Sequence, residues 1–229
     1  MGFKKMNIYS YDRSSYNFNE LLTSLFEVPS LELLHVFHKN MIQTGNIEWK
    51  DESDSKFHKI FYSKLNLKGP GNRWNEMIDC YDRFVKNEIK NKLDSNTEFL
   101  VQQFPSFRVQ TPNSKAIHKW HYDSDEDHGH PIGEINVQIP ITVMYDTSAT
   151  WIESIPGMSN FAPMNMFPGQ YSIFNGNKCT HGNKKNETGL TRVSFDFRII
   201  PKKVLEKQRL NTSATLGVKF TIGEYYREM

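Results

Sequence analysis

Two cysteines in 229 residues, Cys80 and Cys179, are too few and too far apart for a disulfide framework. Their scarcity sets the expectation of a reduced, cytoplasmic setting. Charge of one sign is also missing. With 28 basic and 26 acidic residues the formal net charge is +2, which favours no polyanionic partner. A nucleic-acid groove would show clustered Lys and Arg with interleaved aromatics. The nearest stretch, residues 86–92, reads instead as the solvated face of a helix, so no nucleic-acid partner is expected. No apolar run is long enough to span a bilayer, and the opening MGFKKMNIYSYDRSS lacks the apolar core of a signal peptide. No membrane partner is expected either. The glycosylation-like triplets at Asn186 and Asn211 then carry no meaning, because the chain reads as non-secreted. Aromatic residues are not scarce, at 13%, and the length suits one domain with a sizeable core.

The hydrophobic period divides the chain. Residues 17–42 read as helical: Leu21, Leu22, Leu25 and Phe26 form one apolar face, Pro29-Ser30 breaks it, and Leu33, Leu34, Phe37 and Met41 resume it. His35 and His38 in the second half read as surface or packing histidines, since no carboxylate follows at a telling interval. Residues 43–72 read as a connection ending in the turn signal Gly69-Pro70-Gly71. Over 73–93, Trp74, Met77, Ile78, Tyr81, Phe84, Val85 and Ile89 recur at three- and four-residue steps, giving a core-facing helix with Cys80 beside its apolar face. Past residue 97 the period becomes two. Residues 99–110, 134–144, 149–154, 170–174 and 192–200 read as strands, and 218–222 as one more. Short strands without intervening helices argue for a sandwich or barrel. The expected fold is mainly β with N-terminal helices: a double-stranded β-helix (a cupin-like jelly roll) buttressed by helices. It would be a single domain over 1–229, with a helical layer over 1–96, a jelly-roll core over 97–201 and a C-terminal extension over 202–229.

The chemistry centres on residues 120–123, Trp-His-Tyr-Asp. In an extended strand His121 and Asp123 share one face and Tyr122 takes the other. An imidazole beside a carboxylate is two thirds of a 2-His-1-carboxylate triad, which leaves open positions on Fe(II), and His181 can supply the third ligand. The pair alone is not specific, since 8 His and 11 Asp in this length give roughly 0.4 such pairs by chance. What strengthens it lies eleven residues after His181. There Arg192 opens an alternating strand in which Val193, Phe195, Phe197 and Ile199 face one way and Arg192 and Ser194 the other. A guanidinium fork with a hydroxyl two residues on suits the far carboxylate of a dicarboxylic acid whose other end chelates iron. The competing reading of Arg192 is an ion pair with Asp196 or another acid on that face.

Residues from about 100 to 201 resemble the Fe(II)/2-oxoglutarate-dependent oxygenases, with His121, Asp123 and His181 matching the iron ligands. Arg192 and Ser194 match that superfamily's contact with the 2-oxoglutarate tail. Residues 151–159 (WIESIPGMS) resemble a segment of phytanoyl-CoA dioxygenase-like members, with Met158 interrupting their Pro-Gly-Ser-His string. Residues 104–110 (FPSFRVQ), 118–123 (HKWHYD) and 191–198 (TRVSFDFR) resemble the streptomycin-biosynthesis protein G-like group. The resemblance implies a dioxygenase using Fe(II), 2-oxoglutarate and O2, which hydroxylates a small-molecule substrate with formation of succinate and CO2. Asn136, on the polar side of strand 134–144, is expected at the cofactor and Trp120 at the pocket, while His118 is expected to pack or to support a ligand from behind.

Two alternatives stay open. His128-Gly-His130-Pro-Ile-Gly-Glu134 fits the cupin pattern His-x-His-x3-Glu, with His181 as fourth ligand, for an isomerase, an epimerase or an oxygenase without 2-oxoglutarate. Against it, the acidic run 123–133 reads as a loop, which would leave His128 and His130 off the barrel interior. The other alternative is a jelly roll that binds small molecules without catalysis. No pattern selects a substrate or an oligomeric state.

Overall fold

The computed structural model describes residues 6–39, 57–58, 60–61, 73–114, 120–212 and 217–229. Among these residues ten strands form two antiparallel sheets. The larger contains β1 (Asn7–Ser10), β2 (Phe99–Gln102), β3 (Ser106–Gln110), β4 (Ile135–Pro140), β7 (Gln170–Phe174), β9 (Arg192–Pro201) and β10 (Tyr226–Glu228). The smaller contains β5 (Thr150–Ile152), β6 (Ala162–Pro163) and β8 (His181–Asn183).

Strand β9 is the hub, paired with β2 and β3 along one edge and β4 along the other. Its alternation decides the two sides of the large sheet. Val193, Phe195, Phe197 and Ile199 point to an apolar layer where they are almost completely buried. That layer is closed by α1 (Phe18–Phe26), which buries Phe18, Leu21, Leu22, Leu25 and Phe26, and by α3 (Arg73–Phe84), which contributes Met77, Cys80, Tyr81 and Phe84. Rings of the helices meet rings of the sheet edge-on, Phe18 against Phe195 at 5.9 Å and Tyr81 against Phe197 at 5.1 Å, a geometry that adds to the burial itself. Arg192, Ser194, Asp196 and Arg198 point the other way, toward the small sheet, and are buried too. The space between the sheets is therefore polar.

The helices over 18–26 and 73–92 and the main strands follow the sequence reading, but residues 7–10, within the stretch expected as a helical layer, form β1 of the large sheet, and other differences are of detail. The break at Pro29-Ser30 is present, but past it Leu31 and Leu34 are the buried residues, while Leu33 and Phe37 are exposed. The chain there makes a 3₁₀ turn over Leu31–Leu33 before α2 (Leu34–Phe37), and a three-residue period stacks positions 31 and 34. Helix α3 continues through a π-helical turn (Val85–Ile89) and a 3₁₀ turn (Lys90–Lys92), so the expected span is helical but not uniformly α. The strand expected over 218–222 does not form. The tail pairs through Tyr226–Glu228 instead, against β2. Strands β1, β6 and β8 carry too few residues to show a period. His118 and nearly all of the connection over 43–72 lie outside the described residues. Among those described, no helix is long and apolar enough to cross a membrane.

Candidate metal centre

Residues 120–123 approach β8 as a short antiparallel bridge: the His121 N–H donates to His181 O at 3.0 Å and the His181 N–H to His121 O at 2.8 Å. This places the two imidazoles side by side, ring centroids 4.6 Å apart. Two residues on, the Asp123 N–H donates to Gly176 O at 2.9 Å, which turns its carboxylate to the same point. Asp123 Oδ1 lies 3.6 Å from His121 Nε2 and 3.6 Å from His181 Nε2. That separation is too long for a hydrogen bond and suits donors that share a cation.

The rest of the carboxylate is held from behind. Its Oδ2 accepts from Asn136 Nδ2 at 2.6 Å and from Arg198 Nε at 3.1 Å. One oxygen is thus fixed and the other free for a ligand role. Burial alone would raise the Asp123 pKa, but the Arg198 guanidinium, with the histidines, holds it well below the usual carboxylate range. His181 Nδ1 lies 3.1 Å from the Cys179 carbonyl. With the ring N–H on that side, the Nε2 lone pair faces Asp123, the arrangement a metal-binding histidine needs. Burial, only partly offset by Asp123, pushes the His181 pKa down to about 4. His121 is braced by the His128 ring stacked on it at 4.0 Å.

The His181 shift has a consequence for stability. Its folded pKa lies below the unfolded value, so its stabilising contribution is complete above about pH 6.5 and is lost as pH falls toward 4. A depression of this size is worth about 3 kcal/mol. Urea unfolding of the metal-free protein is expected to weaken between pH 7 and 4.5, and less steeply in His181→Asn.

Gly176 marks how tightly the carboxylate is boxed in. A Cβ there would come within 2.8 Å of the Asn136 side-chain amide. Gly176→Ala is expected to push Asn136 off Asp123, costing about 1–3 kcal/mol of stability and weakening metal binding, as urea unfolding and metal titration would show.

The triad lines a pocket between the sheets together with Arg108, Gln138, Arg192, Asp196 and Arg198. The ion pair between Arg192 and Asp196, the competing reading of Arg192, is not formed. Asp196 is taken by Arg108 Nε at 2.6 Å and by Arg198 Nη1. Arg192 donates to Ser194 Oγ at 2.9 Å and, from Nη2, toward Gln110 Oε1 at 3.4 Å, while its Nε has no partner. It is 4% exposed, and among the described residues no carboxylate pairs with it. Burial, with Arg108 nearby, pushes its pKa down to about 10. A buried guanidinium in that state suits an anion.

The expected residues thus fall into three groups. His121, Asp123 and His181 come together, Arg192 lines the same cavity, and Ser194 is bonded to Arg192 on the same strand face. Asn136 meets the Asp123 carboxylate from behind, so its place is beside the ligand. Trp120 stands outside the pocket, over Gly182 and edge-on to Phe161 at 4.5 Å. The cupin quartet is not assembled. Among the described residues the clusters able to hold a metal are His121, Asp123, His181 and Asp123, His130, Glu134. In the second, His130 and Tyr226 occupy the Glu134 oxygens, and Asn136 and Arg198 share Asp123 Oδ2. His128 bonds Asp125 at 2.7 Å. Arg198, Asp196 and Gln110 are additional site residues. The first two were available from the alternation that assigned Arg192 and Ser194, because 196 and 198 continue the same face.

No protein-family model matches the chain. It is 29% identical over 175 residues, 76% of this chain and 77% of the relative, to the streptomycin biosynthesis protein StrG of Streptomyces griseus. The motif resemblance to that group therefore extends over three quarters of both proteins. Among solved structures, a non-heme monooxygenase, ThoJ in its nickel complex, superposes over 87% of this chain and 75% of its own with a TM-score of 0.50 at 12% identity. That is a likeness of fold.

Proposed function

We propose that the chain is an Fe(II)- and 2-oxoglutarate-dependent oxygenase whose sheets form a double-stranded β-helix within one domain. The observation that carries this reading is the pocket itself, in which two imidazoles and a carboxylate share a cavity with a buried guanidinium that no carboxylate pairs with among the described residues. His121, Asp123 and His181 would hold iron, and Arg192 with Ser194 would hold the far carboxylate of 2-oxoglutarate. Iron, 2-oxoglutarate and O2 together supply an oxidation that yields succinate and CO2 and hydroxylates the substrate. The chain's own part is ligation, orientation and shielding. Asn136 and Arg198 restrict Asp123 to one free oxygen, the Cys179 carbonyl fixes the His181 ring, and Gln110 and Ser194 hold the Arg192 fork open toward the cavity. The substrate is a small molecule. The name of StrG, which places that protein in streptomycin biosynthesis, supports this.

The test is an anaerobic titration with Fe(II), with and without 2-oxoglutarate. A weak visible charge-transfer band is expected only when both are present, and turnover in air should release succinate. Fe(II) binding with no new band on adding 2-oxoglutarate would sink the proposal.

A further inference from the structure

Glu134 and His130, the motif that the triad leaves over, sit in a buried chain of contacts reaching to the C-terminus. Glu134 Oε2 lies 2.8 Å from His130 Nδ1, and the Tyr226 hydroxyl donates to Glu134 Oε1. The His130 backbone N–H donates to Asp123 O at 3.0 Å. Its ring is packed 4.6 Å from Phe220 and 5.9 Å from Tyr225. The rest of that loop meets the same C-terminal region. Gln208 accepts from the Ile132 N–H and donates to the Ile132 carbonyl, both at 2.8 Å.

A second path starts from the neighbouring tyrosine. The Tyr225 hydroxyl donates to Gln102 Oε1 at 3.1 Å, and the same oxygen accepts the Arg198 backbone N–H at 3.2 Å. Arg198 Nε in turn holds Asp123 Oδ2. Both tyrosines are fixed to the large sheet, since the Gln103 N–H donates to Tyr225 O at 2.8 Å and β10 pairs with β2. The two paths converge on one carboxylate, one through its loop and the other through its counter-ion.

We propose that the C-terminal segment is part of the metal centre. Tyr226, through Glu134 and His130, and Tyr225, through Gln102 and Arg198, position Asp123, so that metal affinity depends on residues that are not ligands. Asp123 lies on a chain without regular secondary structure between residue 122 and β4. An unbraced loop would have to be ordered when the metal binds, at the expense of affinity. The inference rests on the metal reading of His121, Asp123 and His181, and the experiment separates the two.

The full-length protein and four variants, Tyr226→Phe, Glu134→Ala, Glu134→Gln and Asp123→Ala, would be titrated with Co(II) and followed by visible absorption. Thermal unfolding of each metal-free protein would be recorded alongside. Tyr226→Phe should bind Co(II) about 10-fold more weakly and Glu134→Ala about 10- to 100-fold, with an altered absorption band. Glu134→Gln keeps an acceptor for the His130 Nδ1–H and should stay within about threefold of the wild type. Asp123→Ala should lose binding. If Tyr226→Phe and Glu134→Ala bind Co(II) like the wild type while Asp123→Ala does not, the brace is refuted and the metal site stands. If Asp123→Ala also binds like the wild type, the metal reading fails first. A lower unfolding temperature with unchanged Co(II) affinity marks a purely structural role and overturns the inference. Should Glu134→Ala not fold, Tyr226→Phe decides, since it removes a single oxygen.

Discussion

Arg192→Met is expected to lower the affinity for 2-oxoglutarate about 100-fold while leaving the metal-free protein as stable as the wild type or more so. Ordinary loss of a buried residue would not give that pair of results. Among the described residues Arg192 holds a cation in the interior with a hydroxyl and an amide oxygen to solvate it, and the acid on its strand face, Asp196, is already shared by Arg108 and Arg198. Burying a charge without a counter-charge costs several kcal/mol, and replacing it by an apolar side chain of similar length removes that cost. What is lost is the partner for an incoming dicarboxylate. Truncating one side of a buried, hydrogen-bonded charge pair costs about 2–5 kcal/mol, of which about 2.8 kcal/mol already corresponds to 100-fold. Titration of the charge-transfer band against 2-oxoglutarate gives the affinity, and urea unfolding gives the stability. Arg192→Lys separates charge from shape: it keeps the cation but loses the planar fork, and should recover only part of the binding. Unchanged 2-oxoglutarate affinity in Arg192→Met would remove the anchor assignment and leave the metal triad untouched.

The same residue shows what the sequence could and could not disclose. A period of two across residues 192–200 was enough to place Arg192 and Ser194 on the face opposite Phe195 and Phe197, and the structure has them there. The ion-pair alternative could not be decided that way, because the competitors for Asp196 come from different places. Arg198 is its neighbour on the same strand, but Arg108 arrives from β3 by sheet pairing. Register between distant strands is not written in either strand alone. His181 illustrates the same limit. Its strand is three residues long and contains a glycine, so nothing local predicts extended structure. What orders it is the two-bond bridge to His121 and the ladder to β5. Asn136 was assigned to the right face of the right strand and lines the pocket, but its bond to Asp123 was not legible, since only the folded chain brings the loop carrying Asp123 over it. The tail was the least legible part. The 218–222 run has the composition of a strand, yet sheet pairing is made by Tyr226–Glu228. Strand propensity reports fit to a half-buried pleated surface, and which residues meet such a surface depends on the sheet edge available.

Asp123→Ala is expected to abolish metal binding and also to destabilise the metal-free protein, by about 3–5 kcal/mol, because it breaks a buried ion pair from one side. The two losses have different origins. Metal binding fails because the two imidazoles remain without the anionic donor. Stability falls because Arg198, 6% exposed, keeps only Asp196 as counter-ion, and Asn136 loses the acceptor at 2.6 Å. Since the folded pKa of Asp123 lies below its unfolded value, the contribution of this carboxylate is present above about pH 4 and is lost as pH falls through the folded value. The wild type should therefore lose stability on acidification through this group, and the variant should not. A double-mutant cycle with Arg198→Met tests the assignment directly. If the pair is the cause, the double variant is more stable than the sum of the single losses predicts, as the uncompensated guanidinium has gone. Metal binding is not restored in the double variant, because the donor is still missing. Additive losses in the cycle would mean that Arg198 and Asp123 are stabilised independently. The clamp on Oδ2 would then have to be assigned to Asn136 alone.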